Sequence, residues 1–165
     1  MLRSLSILVE NRTGVLNRIT NLIARRGFNI ESIAAGTTQD PTVTRITLML
    51  LCDEERLQQV IRQLLKLPDI LMVRDLTPID HFSRELAFIK VRSDEQARMN
   101  ILQVVNIFRG HVIDVSPTTM TIEISGREDK IKAIQEMLIP YGILEIVRTG
   151  PIAIERGDRF MNVST

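Results

Sequence analysis

Residues 5–30 read LSILVENRTGVLNRITNLIARRGFNI, and their order decides the fold of the first half of the chain. An apolar, strand-like run at 5–9 leads into a polar loop that contains Gly14, and an amphipathic helical run begins at Val15. Gly27 stops that helix, and a second strand starts near Ile30. Strand, loop, helix and strand in this order are typical of a split βαβ unit.

The apolar spacing continues the same unit to about residue 78. Alternation of apolar and polar residues predicts a half-buried strand at 43–51, after the turn signal Asp40-Pro41. A second amphipathic helix follows, with Asp53 as its predicted N-cap. The predicted elements of this half are strands at 2–9, 30–36, 43–51 and 70–77 and helices at 15–26 and 54–66.

The second half repeats this order of elements. Its predicted strands lie at 85–91, 112–115, 120–125 and 143–154, and its helices at 95–108, capped by Ser93 or Asp94, and 128–138. The sequence therefore predicts an α+β protein made of two tandem ferredoxin-like (βαββαβ) domains. The expected division is a domain at 1–78, a linker at 79–84, a second domain at 85–158 and a tail at 159–165, and the mixed charges at 155–159 predict that this stretch is exposed.

Two details of this architecture are testable in a structure. Gly27 and Gly110 each follow the first helix of their half, where a left-handed C′ residue is expected. Leu8, Met49 and Met72 fall on the sheet face that no helix covers. An uncovered apolar face or a free edge strand favours a partner, so a homo-oligomer is expected.

Composition excludes several classes of function. The 21 Lys and Arg residues nearly balance 20 Asp and Glu, so the net charge of +1 does not indicate a nucleic-acid partner. The apolar runs are too short for a membrane span and the N-terminus does not resemble a signal peptide, which predicts a cytoplasmic protein without a membrane partner. Cys52 is the only cysteine, and His81 and His111 lack metal-ligand spacing, so neither a disulfide nor a metal site is expected.

Signatures of catalysis are missing as well. The sequence contains no nucleophile elbow, phosphate loop, dinucleotide fingerprint or metal-spaced carboxylates, so no catalytic residue is assigned. An RNA-binding ferredoxin-like domain would need aromatic residues on its central strands, where this chain has Ser4, Ser6, Thr47 and Met49. An acyl-phosphate hydrolase would need an arginine in a glycine-rich first loop, and Arg12 alone is a poor match.

The loop between the first strand and the first helix is the candidate binding site. Helix N-termini carry unpaired N–H groups and a partial positive charge, which suit a carboxylate, and Gly14 lets a ligand approach the backbone. Asn11 and Asn29 would add amide groups if the first loop and the start of the second strand lie at the same end of the sheet. Asn, Thr and Gly are also common at helix starts for capping reasons alone.

Four motifs together resemble the small regulatory subunit of acetohydroxyacid (acetolactate) synthase, over residues 2–158. They are VENRTGVL at 9–16, RGFNIES at 26–32, FRGHVIDV at 108–115 and EIVRTG at 145–150. The resemblance implies an N-terminal ACT domain and a C-terminal ACT-like domain, with ACT domains paired across a homodimer. It also implies that valine, or a related branched-chain amino acid, binds at the interface. By this resemblance Asn11, Gly14, Val15 and Leu16 of one subunit and Asn29 and Ile30 of the other would hold the ligand.

The resemblance also implies what the chain works with. The partner would be the large catalytic subunit, which this chain would activate and make sensitive to end-product inhibition. Thiamine diphosphate, FAD and magnesium would belong to that large subunit, and no cofactor or metal is expected in this chain. A free-standing ACT sensor of another amino acid or enzyme is the alternative, and the motifs of the second half favour the synthase subunit.

Overall fold

The computed structural model describes residues 1–163 and divides into two compact units. The first comprises Met1–Phe82 together with the segment that starts at Ile152, and the second comprises Ser83–Pro151. Each unit has a hydrophobic core of its own. The prediction of an α+β fold with two ferredoxin-like units is confirmed.

The first unit is a four-stranded antiparallel sheet with two helices. Its sheet order is β2-β3-β1-β4, with β1 and β2 both antiparallel to β3. The elements are β1 (Leu2–Glu10), α1 (Val15–Arg25), β2 (Ile30–Thr37), β3 (Val43–Leu51), α2 (Glu54–Leu64) and β4 (Ile70–Asp75).

The core of this unit follows the two periodicities of the sequence. Alternate residues of β1, such as Leu5 and Ile7, are fully buried and pack with Ile19 and Ile23 from the apolar face of α1. Helix α2 begins as predicted, because the Asp53 carboxylate accepts a hydrogen bond from the N–H of Arg56 at 2.8 Å. Local sequence signals thus place both helices on one face of the sheet.

The second unit repeats this plan. Its sheet has the order β6-β7-β5-β8, and Asp94 caps α3 by accepting from the N–H of Ala97 at 2.7 Å. The elements are β5 (His81–Arg92), α3 (Glu95–Ile107), β6 (His111–Val115), β7 (Thr119–Gly126), α4 (Glu128–Leu138) and β8 (Ile143–Arg148), followed by β9 (Ile152–Glu155).

The end of the second half differs from the sequence prediction. The single strand predicted at 143–154 is two strands, β8 and β9, because Gly150 takes a positive φ of 72° and Pro151 cannot donate to a sheet. Strand β9 groups with the first unit, and β5 begins at His81, inside the predicted linker 79–84. The compact units therefore differ from the predicted division at 1–78 and 85–158.

The sequence analysis predicted that the outer sheet face of the first unit is uncovered, and this prediction is wrong for Leu8 and Met72. Leu8 is only 4% exposed and packs with Val43 and Met161, and Met72 lies against the same cluster. The Arg45 guanidinium reaches the Ala153 carbonyl oxygen at 2.9 Å. The C-terminal segment covers this face because it supplies the buried side chain of Met161. The expectation that 155–159 is exposed holds for 156–159 and is wrong for Glu155, which is buried. Residues 164 and 165 of the predicted tail lie outside the described residues.

The two glycines expected at helix ends behave differently. Gly27 has φ 69°, as predicted, whereas in the second unit the left-handed residue is Arg109, with φ 54°. Gly110 is instead pressed against the sheet, where an added Cβ would lie 3.2 Å from the Glu123 carbonyl oxygen. The prediction for Gly110 is wrong by one residue, because the glycine meets a need for space and not for positive φ.

Candidate ligand-binding site at the first helix

The loop after β1 is held by the turn between β2 and β3. The N–H of Asn11 donates to the Thr42 carbonyl oxygen at 2.7 Å, and its side-chain Nδ2 donates to the Pro41 carbonyl oxygen at 2.9 Å. Asn11 is otherwise exposed. Its orientation is therefore fixed while its Oδ1 stays available to accept a hydrogen bond from a ligand ammonium group.

Helix α1 starts without a side-chain cap. Gly14 is its N-cap residue, with φ 85°, and no side-chain hydrogen bond caps it within residues 1–163. The first turn of α1 contains no acidic residue, whereas α2 and α3 have both a capping aspartate and first-turn glutamates. The start of α1 thus keeps N–H groups and a partial positive charge that a carboxylate can use.

The next two predicted site residues have different surroundings. Val15 is 3% exposed and belongs to the core, so only its backbone can serve a ligand. Leu16 is 45% exposed, which leaves its side chain free to contact an apolar group. The Val15 N–H already donates to the Arg12 carbonyl oxygen at 3.4 Å, so Leu16 offers the first free main-chain donor beside a small apolar surface.

The remaining predicted site residues, Asn29 and Ile30, lie in the connection to β2. The Asn29 Nδ2 donates to the Glu31 carboxylate at 2.8 Å, and Asn29 is exposed. Ile30 is half-buried and pairs with Leu50 of β3. This connection is anchored by Phe28, whose buried ring lies 4.4 Å from the Arg56 guanidinium.

Within one chain the structure does not bring these two groups together. Glu10, next to Asn11, pairs with Val43 at one end of β3, whereas Ile30 pairs with Leu50 near the other end. Seven residues of strand separate those positions, or roughly 24 Å. The expectation that both lie at one end of the sheet is wrong, because β1 and β2 run parallel and the loop follows the end of β1.

A second copy of the chain could join the two groups. Strand β2 is an edge of the sheet, with an unpaired side along eight residues and Glu31 as its one charged residue. If two such edges pair antiparallel about a twofold axis, the start of one β2 approaches the end of the other. Asn11 and Gly14 lie at the end of the sheet where β2 ends, so Asn29 of one copy would approach Asn11 of the other.

Asp40 is a residue that the sequence analysis did not assign to the site. Its Oδ1 accepts from the Thr42 hydroxyl at 2.6 Å and from the Thr42 N–H at 2.8 Å. These bonds, first the hydroxyl and then the N–H, hold the pKa of the Asp40 carboxyl below its usual value. Asp40 shapes the turn whose carbonyls hold Asn11, and the Asp40-Pro41 turn signal was the available clue.

A charged cluster joins the C-terminal segment to the outer face of the first sheet. Glu155, whose side chain is 2% exposed, forms an ion pair with Arg74, and Arg45 donates to the Ser6 hydroxyl at 2.9 Å. Burial lowers the pKa of the Arg45 guanidinium, while the Glu155 charge opposes that change. Nothing in the spacing of the sequence indicated that Glu155 would be buried.

Residues 1–163 contain neither a metal-binding cluster nor a membrane-spanning helix. No group of three or more His, Cys, Asp or Glu side chains in that range could hold a metal ion. The helices in that range are not long and apolar enough to cross a membrane. The loop before α1 therefore remains the candidate site.

The class of the first unit follows from its fold together with a family match. Residues 5–72 match the family model of the AHAS small subunit-like ACT domain. The first unit is an ACT domain. Residues 84–157 match a second family model, described as the small subunit of acetolactate synthase. The chain belongs to the acetolactate synthase small-subunit family.

Individual relatives agree over nearly the whole chain. A probable acetolactate synthase small subunit from Methanothermobacter thermautotrophicus is 46% identical over 158 residues, which are 95% of this chain and 94% of the relative. The acetolactate synthase small subunit from Aquifex aeolicus is 46% identical, over 92% of this chain and 80% of the relative. The crystal structure of the acetolactate synthase small subunit from Thermotoga maritima has a TM-score of 0.89 and 38% identity, over 96% of this chain and 99% of that one.

Proposed function

We propose that this chain is the non-catalytic regulatory subunit of acetolactate synthase, which activates the large catalytic subunit and confers feedback inhibition by valine. Membership of the small-subunit family over both halves supports the regulatory role. Under this proposal thiamine diphosphate, FAD and magnesium belong to the large subunit, and the pair of subunits acts in the cytoplasm. The alternative of a free-standing sensor has no support from the second half, which matches the small-subunit family model.

The uncapped start of α1 is the observation that carries the sensing role. The carboxylate of valine would accept from the N–H groups that follow Val15, and its ammonium would donate to the Asn11 Oδ1. Leu16 offers a partly exposed apolar side chain for the isopropyl group. An uncapped helix N-terminus without a first-turn acid is well suited to a zwitterion of this size.

The second half of the site would come from a second copy. Asn29 and Ile30 lie too far from Asn11 within one chain, and pairing of two β2 edges would bring them close. Valine would then stabilise the arrangement of the dimer that closes the site. The dimer would have one arrangement with the site closed and another with the site open. The coupling free energy between valine and the catalytic subunit would equal the difference that valine imposes between these two arrangements, ordinarily about 1 to 3 kcal/mol.

Calorimetric titration of L-valine into the purified full chain tests the sensing role, with L-alanine as the control ligand. Valine has about eight heavy atoms, and at roughly −0.7 kcal/mol per atom the expected Kd is about 100 μM. We expect saturable heat at about one valine per chain, as a symmetric dimer with two equivalent sites requires. Absence of heat, or equal heat with alanine, would contradict a valine site in this chain.

Activation is tested separately by adding the chain to the purified catalytic subunit and measuring acetolactate formation. Asn29→Ala removes an amide at the interface, and Gly14→Asp places a negative charge where the ligand carboxylate would bind. Both variants should still activate the catalytic subunit but lose inhibition by valine, and thermal unfolding checks that the backbone at position 14, with φ 85°, tolerates the added side chain. A chain that neither binds to nor activates the catalytic subunit would overturn the regulatory role itself.

A further inference from the structure

Helix α1 presents a basic groove on the surface of the first unit. The groove has a volume of about 550 Å³. From Val15 to Arg26 the chain has three arginines and no acidic residue, although the whole chain has a net charge of only +1. The residues that line the basic groove are Arg18, Asn21, Leu22, Arg25, Arg26 and Leu67.

The arginines of the basic groove differ in their partners. Arg18 forms an ion pair with Asp69 at 2.7 Å, which orders that side of the groove. Arg25 and Arg26 are exposed, and neither forms an ion pair with any residue in 1–163. Two free guanidinium groups are suited to the planar, paired hydrogen bonds that carboxylates accept.

The basic groove also has an apolar component. Leu22 and Leu67 line it, are half-buried and pack against the core of the unit. Arginine is enriched at protein interfaces relative to the rest of the surface, and the fully buried core of an interface is more apolar than that surface. The groove is therefore suited to a protein surface that carries carboxylates around an apolar side chain.

Two other surfaces of the first unit already have assigned roles. The C-terminal segment covers the outer sheet face through Met161 and Glu155. The β2 edge and the loop at Asn11 belong to the dimer and ligand site under the proposed function. The helix layer that contains α1 has neither of these roles, and Arg25 and Arg26 on it are exposed.

We propose that the basic groove is a docking surface for an acidic patch on the catalytic subunit. This inference rests on the proposed function, since it names the surface through which the regulatory subunit reaches its partner. Arg25 and Arg26 supply attraction and Leu22 supplies apolar contact. Because such exposed charges act mainly through long-range attraction, the docking is sensitive to ionic strength.

Binding of the full chain to the purified catalytic subunit tests this surface. We expect the double variant Arg25→Gln, Arg26→Gln to bind about tenfold more weakly at an ionic strength of about 0.05 M and within about threefold of the original chain at about 0.5 M. The variant Arg25→Lys, Arg26→Lys keeps both charges but not the paired hydrogen bonds, so it should recover only the salt-sensitive part of the binding. A matched control, Lys132→Gln with Arg159→Gln, removes two exposed charges elsewhere and should bind like the original chain.

Valine calorimetry on the same variants separates docking from sensing. The Gln double variant should bind valine within about twofold of the original chain. Unchanged subunit affinity in that variant, or an equal loss in the control, would overturn the docking surface and leave the proposed function standing. Tight binding of inorganic tripolyphosphate that only the Gln variant loses, with subunit affinity unchanged, would instead identify a small-anion site. If the original chain does not bind the catalytic subunit, both proposals fail.

Discussion

The side-chain amide of Asn11 donates a hydrogen bond to the carbonyl oxygen of Pro41, 2.9 Å away and 30 residues further along the chain. The backbone N–H of Asn11 bonds to the next carbonyl, that of Thr42. The proposed ligand loop is thus built on the turn between β2 and β3. Substitutions that loosen that turn should therefore weaken ligand binding.

Asp40→Ala should weaken valine binding without unfolding the protein. The carboxylate accepts two hydrogen bonds from Thr42, and without them the Pro41 and Thr42 carbonyls lose their fixed direction toward Asn11. We expect a three- to tenfold higher Kd for valine, since one positioning contact is worth about 1 kcal/mol. Calorimetry measures the Kd, and thermal unfolding checks the fold. Asp158→Ala, an exposed carboxylate elsewhere, is the control and should leave the Kd unchanged.

Thr42→Val should raise the pKa of Asp40. The Thr42 hydroxyl is the main cause of the lowered pKa, and valine removes it while keeping the N–H. A lowered pKa in the folded state gives stability that is present above the unfolded value of about 3.9 and is lost as pH falls through the folded value. The variant should therefore lose less stability on acidification. Carboxyl-carbon NMR titration of Asp40 measures the pKa, and an unchanged value would contradict the assigned cause.

Mixing two variants that each fail to bind valine should restore part of the valine binding. Asn11→Ala and Asn29→Ala each remove one half of every proposed site. In a mixed dimer one site carries both changes and the other carries neither. After equal mixing, unfolding and refolding, about a quarter of the original binding stoichiometry should return. Calorimetry on the mixture measures it, with each variant alone as the control. No recovery would mean that Asn11 and Asn29 act within the same copy, or that one of them is not in the site.

Glu155→Ala should destabilise the first unit strongly. The change leaves Arg74, and the partly buried Arg45 beside it, without the carboxylate that compensates their charge. Breaking a buried pair in this way costs about 3 kcal/mol. Arg156→Ala breaks the exposed pair with Asp80 and should cost less than about 1 kcal/mol. Denaturant unfolding measures the loss of unfolding free energy in both variants. Similar losses would show that the buried ion pair does not stabilise the first unit more than the exposed pair does.

Cys52 should react slowly with iodoacetamide in the folded protein. It is 6% exposed, and burial raises the pKa of its thiol, so the reactive thiolate is scarce at neutral pH. Since the raised pKa favours the protonated form, any stability it contributes is present at neutral pH and lost as pH rises through the folded value. Mass spectrometry should show rapid labelling only after denaturation. Equal rates in the folded and unfolded chain would contradict this burial.

Local signals predicted most of the fold. The Asp53 cap, the left-handed Gly27 and the alternation along β3 each depend on a few neighbouring residues, and all appear in the structure. The repeat of the same element order in the second half follows from the same local periodicity. Arg109 and Gly110 show the limit, since the choice between positive φ and lack of space depends on the packing against Glu123.

Features that depend on distant parts of the chain were not predictable in the same way. Ala153 meets Arg45 across 108 residues, so the sequence could not show which segment would cover the outer sheet face. The placement of Asn29 relative to Asn11 depends on both β1 and β2 being antiparallel to β3. The chemistry of the loop was enough to select the candidate residues. It was not enough to predict that these residues lie at two different ends of the sheet.

The separation of Asn11 and Asn29 along the sheet links effector sensing to the amount of protein. If valine needs one end of each of two copies, an isolated copy has no complete site, and the measured affinity for valine falls when the chain is diluted below the dissociation constant of its dimer. Valine in turn tightens the association by the same free energy. A cell that makes little of this chain would then be less responsive to the same pool of valine than one that makes much of it.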